Sequence, residues 1–455
     1  MSTPIRRWRV EPAARPLRGA VTVPGDKSLS HRALLLGALA SGQSLVRGLS
    51  PGADVAATRR LVEALGVGVT GVDRAAVQID GVGLEGLQCP REALDCGNAG
   101  TALRLAAGVL VAQGFDAVLT GDASLSRRPM GRVTRPLRQR GARIEGVVDV
   151  ARRDETAPLT ITGLGPGQRL FELEYALPVA SAQVKSALLL SGLFADGVTA
   201  LREPMVSRDH TERMLLAMGA PLSTMGPAVM LDPGDWDRVL APLDLEIAGD
   251  PSAAAFWITA AHMVSGSRVM VRRVLTNPTR VGFLEVLRDQ GGGVIADPKG
   301  EQGAEPVANL HVGVGATGEL RRGARVGGEL AVRCIDEVPV LVAAAAVSPG
   351  ESVFDDLAEL RVKESDRVEA LGAMLAAFGV PHAVTPAGLR VEGGGRVRGG
   401  AVVQSRGDHR VAMAAAVLAL RAEGETVIED VACVATSDPG FAATLRGLGG
   451  VLHEE

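Results

Sequence analysis

Six stretches of the chain close a leucine-spaced helix on glycine and then start a strand: LVEALGVGV (61–69), PLRQRGARI (136–144), LLAMGAPL (215–222), VLRDQGGGV (286–294), MLAAFGVPH (374–382) and TLRGLGGVL (444–452). Their glycines are Gly66, Gly141, Gly219, Gly291, Gly379 and Gly449. Glycine just after a helix supplies the left-handed C-cap conformation that residues with a side chain adopt only at a cost. Each copy therefore predicts a helix end, a cap and a strand start. The copies recur at roughly 70 to 90 residues, which suits a compact α/β unit better than a solenoid repeat.

A second feature recurs earlier in each unit. A polar or glycine-containing turn leads into a helix rich in Ala, Val and Leu: PGDKSLSHRALLLGAL (24–39), CGNAGTALRLAAGVL (96–110), ASAQVKSALLLSGL (180–193), GDPSAAAFWITAAHM (249–263), IDEVPVLVAAAAV (335–347) and GDHRVAMAAAVLAL (407–420). Helices apolar on nearly all sides are expected to be buried. Their polar residues gather at the N-terminal ends, where N–H groups lack intrahelical partners and the dipole is positive. Ser, Asp and Asn are ordinary caps there, and any single copy reads as no more than that. Several such ends aimed at one place would form an anion site. Lys27, Arg32, Arg104, Lys185 and Arg410 lie near these starts, where a cation opposes the dipole and a bound anion would compensate it.

Six units divide into two domains of three. The first helix-start motif begins near residue 24 and the fourth near 249. The expected domains are 23–244, and 1–22 plus 245–455. The strand before residue 22 has no unit of its own, so it is expected to complete the second domain. The chain would then cross twice, near residues 22 and 245, and the cleft between the domains would be the natural ligand site.

Length and composition agree with this reading. The chain has 455 residues, 46% apolar and 22% charged, as in a soluble globular protein of two or three domains. A net charge of −4 argues against a generic nucleic-acid binder. Cys89, Cys96, Cys334 and Cys433 form no C-x-x-C pair and lie at no zinc spacing, so free thiols in a reducing cytosol are expected. No charge-free apolar run of about 18 residues predicts a membrane span. The Arg-rich start MSTPIRRWRVEPAARPLRG has no apolar core and does not read as a secretory signal. Lys and Arg total 48, yet the lysines are only Lys27, Lys185, Lys299 and Lys363. The bias toward Arg leaves two readings of a retained Lys: chance, or a place that needs a compact ammonium with a tunable pKa.

Three of those lysines fall in motifs. In order run PGDKSLSHR (24–32), GNAGTALR (97–104), SRRPMGR (126–132), ASAQVKS (180–186), SRDHTERM (207–214), GDPSAAAF (249–256), IDEVPV (335–340), LRVKESDR (360–367) and GDHRVAM (407–413). Together they resemble the motif set of the 5-enolpyruvylshikimate-3-phosphate synthases over nearly the whole chain. The resemblance implies an α/β fold of two domains, each of three βαβαββ units, the inverse α/β barrel of enolpyruvyl transferases. It also implies addition of the 5-hydroxyl of shikimate 3-phosphate to C2 of phosphoenolpyruvate with protonation of C3, then loss of phosphate and a C3 proton.

The same resemblance implies the site. Asp336 stands at the base position for the 5-hydroxyl, while Glu364 and Lys27 stand where protons move at C3. Shikimate 3-phosphate would meet Lys27, Ser28, Arg32, Ser181, Ala182, Gln183, Arg208, Asp336 and Lys363, with Ser181 and Arg208 at the 3-phosphate. Phosphoenolpyruvate would meet Lys27, Asn98, Gly100, Arg128, Gln183, Arg367 and Arg410. Guanidinium forks suit its carboxylate and phosphate. Lys185 is near the cleft by motif, His409 lies beside Arg410, and Lys299 reads as a solvated loop residue. No metal and no cofactor are implied. The partners are the two small substrates, with no nucleic acid and no membrane, for a cytoplasmic monomer.

Some positions depart from the family pattern. Leu105 stands where many members have Pro, and Ala182 replaces the second Ser of a Ser-Ser-Gln version. Thr436 lies where some members carry a Lys, and Asp438 where an aromatic residue is common. These place the chain in a divergent bacterial branch. Gly100 leaves room for glyphosate, the family's inhibitor. Three rivals are weaker. UDP-N-acetylglucosamine enolpyruvyl transferases use a loop Cys, and GDASLSRRPMGR (121–132) has none. A non-catalytic phosphometabolite binder could dispense with Asp336, Glu364 or Lys27. An RNA-end-processing enzyme would need a basic track.

Overall fold

The computed structural model describes residues 6–72, 76–313 and 320–455; the first five residues of the Arg-rich start lie outside this set. The chain packs into two units. One comprises Gly25–Ile247 and Gln302–Glu305. The other comprises the described residues up to Pro24, Ala248–Glu301 and those from Pro306 to Glu455.

The first unit holds helices α1 (Lys27–Leu39), α2 (Ala53–Ala64), α3 (Gly100–Leu110), α4 (Gly131–Gln139), α5 (Ala182–Gly192) and α6 (His210–Ala217). Its strands form three four-stranded sheets. In one, Leu94–Asp95 runs parallel to Ala117–Thr120, which pairs antiparallel with Asp154–Thr162, which pairs antiparallel with Arg143–Asp149. The chain order is thus βαβαββ, with the buried helix α3 as the parallel crossover. The sheet built on Leu173–Ala176 repeats this order. The third sheet borrows its first strand. Asp244–Glu246, at the far end of the unit, pairs parallel with Ser41–Arg47.

The second unit holds α7 (Pro251–Met263), α8 (Gly282–Asp289), α9 (Gly328–Arg333), α10 (Val338–Val347), α11 (Arg367–Ala377), α12 (His409–Ala419) and α13 (Phe441–Leu448). The N-terminal segment supplies two of its strands. Arg18–Thr22 pairs parallel with Arg268–Leu275, and Arg7–Val10 lies between Thr426–Glu429 and Leu452–Glu454. The chain passes between units at Pro24–Gly25 and Ile247–Ala248, and makes a further excursion at Gln302–Glu305 that no sequence pattern announces.

All six repeat glycines have positive φ, from +67° at Gly379 to +102° at Gly449, as a left-handed helix end requires. Helices α1, α3, α5, α7, α10 and α12 are buried along nearly their whole length. In the first unit α3 lies against α5 at Gly108, where an added Cβ would fall 2.2 Å from the Ala187 carbonyl oxygen. In the second, α10, α12 and α7 pack together, and Phe441 stacks on Trp257 at 4.6 Å.

Candidate active site

The helix starts sort themselves by how their polar residues are used. Asp26, Ser181, Asp250 and Asp408 cap α1, α5, α7 and α12 with side-chain hydrogen bonds. At α3 and α10 no side chain caps the helix. The polar residues there, Asn98 and Asp336, are committed to cations instead.

In the first unit, Lys27 opens α1 and its ammonium pairs with Asp54 in the first turn of α2. Asp54 is buried and carries no sequence signal beyond an acidic residue suited to a helix start. Ser28 is half-buried, and its carbonyl accepts from Arg32 at 3.0 Å. Arg32 is buried and also donates to Thr211 and Ser186, both at 2.7 Å, so it ties α1 to α5 and α6.

Asn98 accepts from the Arg128 guanidinium and donates to Asp122 at 2.7 Å. Gln183 accepts from Arg104 at 2.7 Å and donates to Thr101 at 2.9 Å, linking α5 to α3. A Cβ on Gly100 would lie 2.8 Å from Arg104 Nη1 and 3.1 Å from Arg128 Nη1. Asn98, Gly100, Arg104, Arg128 and Gln183 therefore form one patch with two guanidiniums at the start of α3. Arg104 was not among the expected ligands; its place in the first turns of α3 was the available signal. Ser181 and Ala182 begin α5, and half-buried Arg208 lies just before α6. Lys185, also on α5, is 4% exposed and salt-bridged to Glu203 and Glu212.

In the second unit, one carboxylate gathers three cations. Asp336 Oδ1 lies 3.3 Å from Arg367 Nη1, 3.5 Å from Lys363 Nζ and 3.9 Å from Arg410 Nε. Arg410 also donates to the Asp336 carbonyl at 2.8 Å. Arg367 is fully buried and holds Glu364 at 2.5 Å and Asp408 at 2.8 Å. Burial opposes its charge, yet Asp408, Glu364 and Asp336 outweigh this and raise its pKa further. Asp408 thus serves twice, as the cap of α12 and as the anchor of Arg367. Burial lowers the Lys363 ammonium, Asp336 opposes that and Arg367 adds to it; 27% side-chain exposure tempers the effect.

His409 is buried, 3.4 Å from the Thr436 hydroxyl. Asp438 is buried, and burial pushes its carboxyl up to about 6, with the Gly440 N–H opposing and Asp250 adding. Lys299 is exposed as expected, but it lies on strand Ile295–Gln302 and pairs with Asp297. Both faces of that strand are largely exposed, so no apolar alternation marks it in the sequence. A cavity of about 460 Å³ lined by Glu85, Arg169, Phe194 and Arg238 contains none of the expected site residues.

Among the described residues, Asp209, His210 and Glu305 form the one cluster with metal-ligand spacing. Arg213 already lies 2.8 Å from Asp209 and 3.9 Å from Glu305, supplying positive charge at that place.

Residues 12–445 match the family model described as EPSP synthase (3-phosphoshikimate 1-carboxyvinyltransferase). The 3-phosphoshikimate 1-carboxyvinyltransferase of Halorhodospira halophila is 48% identical over 442 residues, covering 97% of this chain and 96% of the relative. That of Desulforudis audaxviator is 46% identical over 435 residues, covering 96% and 98%. A solved EPSP synthase from Acinetobacter baumannii superposes with a TM-score of 0.84 at 38% identity, over 99% of this chain and 100% of that one.

Proposed function

The chain belongs to the EPSP synthase (3-phosphoshikimate 1-carboxyvinyltransferase) family, and from that premise we propose how its two residue sets carry out enolpyruvyl transfer. The enzyme is a transferase of the shikimate pathway, on the route to chorismate and the aromatic amino acids. It joins phosphoenolpyruvate to the 5-hydroxyl of shikimate 3-phosphate and releases phosphate.

The observation that carries the residue assignment is Asp336 among Lys363, Arg367 and Arg410. A carboxylate held by three cations is a fixed hydrogen-bond acceptor amid groups suited to anions. In our reading Asp336 accepts the 5-hydroxyl proton as O5 bonds to C2 of phosphoenolpyruvate. Lys27 and Glu364 serve proton transfer at C3, which gains a proton in the addition. In the elimination the bond from C2 to the phosphate oxygen breaks and C3 gives a proton back. Arg128, Arg367 and Arg410 grip phosphoenolpyruvate, with Asn98, Gly100 and Gln183 against it. Ser28, Arg32, Ala182, Gln183 and Lys363 surround the acceptor ring, and Ser181 and Arg208 hold its phosphate. All charge comes from side chains, so the mechanism calls on no metal or cofactor. We place the enzyme in the cytoplasm as a monomer; no described helix is long and apolar enough to cross a membrane.

Asp336→Asn tests the assignment. The amide still accepts from Arg367 but cannot take the hydroxyl proton. Turnover should fall about a hundred- to ten-thousand-fold, the usual worth of a general base, with the fold and substrate binding retained. Turnover within about tenfold of the parent at saturating substrates would remove Asp336 from the role.

A further inference from the structure

Lys185 has no task in the reading above, yet it is one of four lysines in the chain. Its ammonium donates to Glu203 Oε2 at 2.6 Å, Glu212 Oε1 at 2.8 Å and the Ser207 carbonyl at 3.4 Å. Three N–H groups meet three acceptors, so Lys185 keeps none for a substrate. Glu203 is equally committed. Its Oε2 also accepts from the Ser207 N–H at 3.2 Å, and its Oε1 from the Ser207 hydroxyl at 2.5 Å and the Ser181 N–H at 3.2 Å. The carboxylate thereby ties Ser181, the cap of α5, to the segment that leads into Arg208. The three charged side chains are 2% to 5% exposed.

One oxygen stands apart. Glu212 Oε2 is buried and has no hydrogen-bond partner among the described residues. Two ionised carboxylates around one ammonium would leave a buried charge of −1, and an uncompensated buried charge is the costly state. We propose that Lys185, Glu203 and Glu212 form a buried positioning triad that holds Ser181 and Arg208 for the phosphate of the acceptor substrate, with Glu212 carrying a proton. This rests on the phosphate role given to Ser181 and Arg208 above.

The surroundings favour that protonation state. Burial raises the Glu212 carboxyl, Lys185 and the residue's own backbone N–H oppose it, and Asp209 at the start of the same helix adds to the rise. Burial alone would lower the Lys185 ammonium; Glu212 when ionised, and Glu203, oppose that and raise it. From α1, Arg32 directs its guanidinium to Thr211, Ser186 and the Ser28 carbonyl. A carboxyl raised in the fold contributes stability at low pH that is lost as pH rises through its folded value. Ionised Glu212 would add negative charge beneath a phosphate dianion, so acceptor binding should weaken in the same direction.

Steady-state kinetics of the whole enzyme with both substrates varied, from about pH 6 to about pH 9.5, test this in three variants. Lys185→Met should raise KM for shikimate 3-phosphate about tenfold, the scale of a lost charge-assisted hydrogen bond, and leave KM for phosphoenolpyruvate within about twofold. Glu212→Gln, the neutral mimic, should stay within about twofold at neutral pH and flatten the alkaline rise in KM for shikimate 3-phosphate. A folded Lys185→Met with unchanged KM for shikimate 3-phosphate would overturn the triad. So would a Glu212→Gln enzyme with a tenfold higher KM at neutral pH, and that variant decides the matter alone if Lys185→Met does not fold. Arg208→Ala separates the two levels: if it leaves KM for shikimate 3-phosphate unchanged, the phosphate assignment itself falls, whatever the triad variants do.

Discussion

Two substitutions test single side chains. Asp438 is a buried carboxyl whose folded pKa is raised to about 6, chiefly by burial. Because the carboxyl is raised, its penalty is absent below about pH 4 and grows as pH rises to 6. Asp438→Asn should gain stability relative to the parent by up to about 2 kcal/mol between pH 4.5 and 7.5, since each tenfold change in a protonation equilibrium is worth about 1.4 kcal/mol. Paired thermal melts at the two pH values measure it, and a parent–variant difference that does not change with pH would contradict it. At Gly100, a methyl would press on Arg104 and Arg128. Gly100→Ala should therefore displace a guanidinium and raise KM for phosphoenolpyruvate several-fold, and weaken glyphosate in competition assays. Equal KM and inhibition would mean that both arginines yield without loss. Residues were unevenly legible from the sequence. Lys27, Asp336 and Arg367 stand in distinctive motifs. Their partners Asp54 and Asp408 looked like ordinary helix-start acids, and Glu203, Glu212 and Glu305 like ordinary charged positions. A carboxylate's role depends on which cation the fold brings to it, and local pattern carries no record of that.

Among elements, the twelve repeat landmarks were legible because each rests on local physics. A left-handed helix end demands glycine, and all six predicted glycines adopt it. Helices apolar on every side have nowhere to go but inside. The packing of one buried helix on another was less legible, since Gly108 reads only as a weak helix former until α5 is seen against it. There the backbones approach so closely that Gly108→Ala would place Cβ 2.2 Å from the Ala187 carbonyl oxygen. Overpacking of this kind costs about 1–3 kcal/mol. The variant should melt several degrees lower, and because α3 and α5 also carry Gly100 and Gln183, KM for phosphoenolpyruvate should rise with it. An unchanged melting temperature would show that α3 and α5 can separate freely.

At the scale of the whole molecule, the chain does not divide at one point. Arg7–Val10 is an inner strand of one sheet of the second unit, and Arg18–Thr22 is the edge strand of another. Removing residues through Thr22 should leave two sheets of that unit incomplete and yield insoluble or non-cooperatively melting protein; a soluble, cooperative truncation would refute this. The orphan strand was legible from counting units, but its split between two sheets was not, because register depends on partners hundreds of residues away in the chain. The excursion at Gln302–Glu305 was hidden for the same reason, being held by Glu305 on His210 at 2.7 Å. What the molecule does with these parts is tested most directly by mixing purified enzyme with phosphoenolpyruvate and shikimate 3-phosphate, together and singly, and measuring inorganic phosphate and product mass. Phosphate should appear only when both are present, matched mole for mole by the enolpyruvyl ether of shikimate 3-phosphate. Phosphate release from phosphoenolpyruvate alone, or transfer to UDP-N-acetylglucosamine in place of shikimate 3-phosphate, would contradict the account.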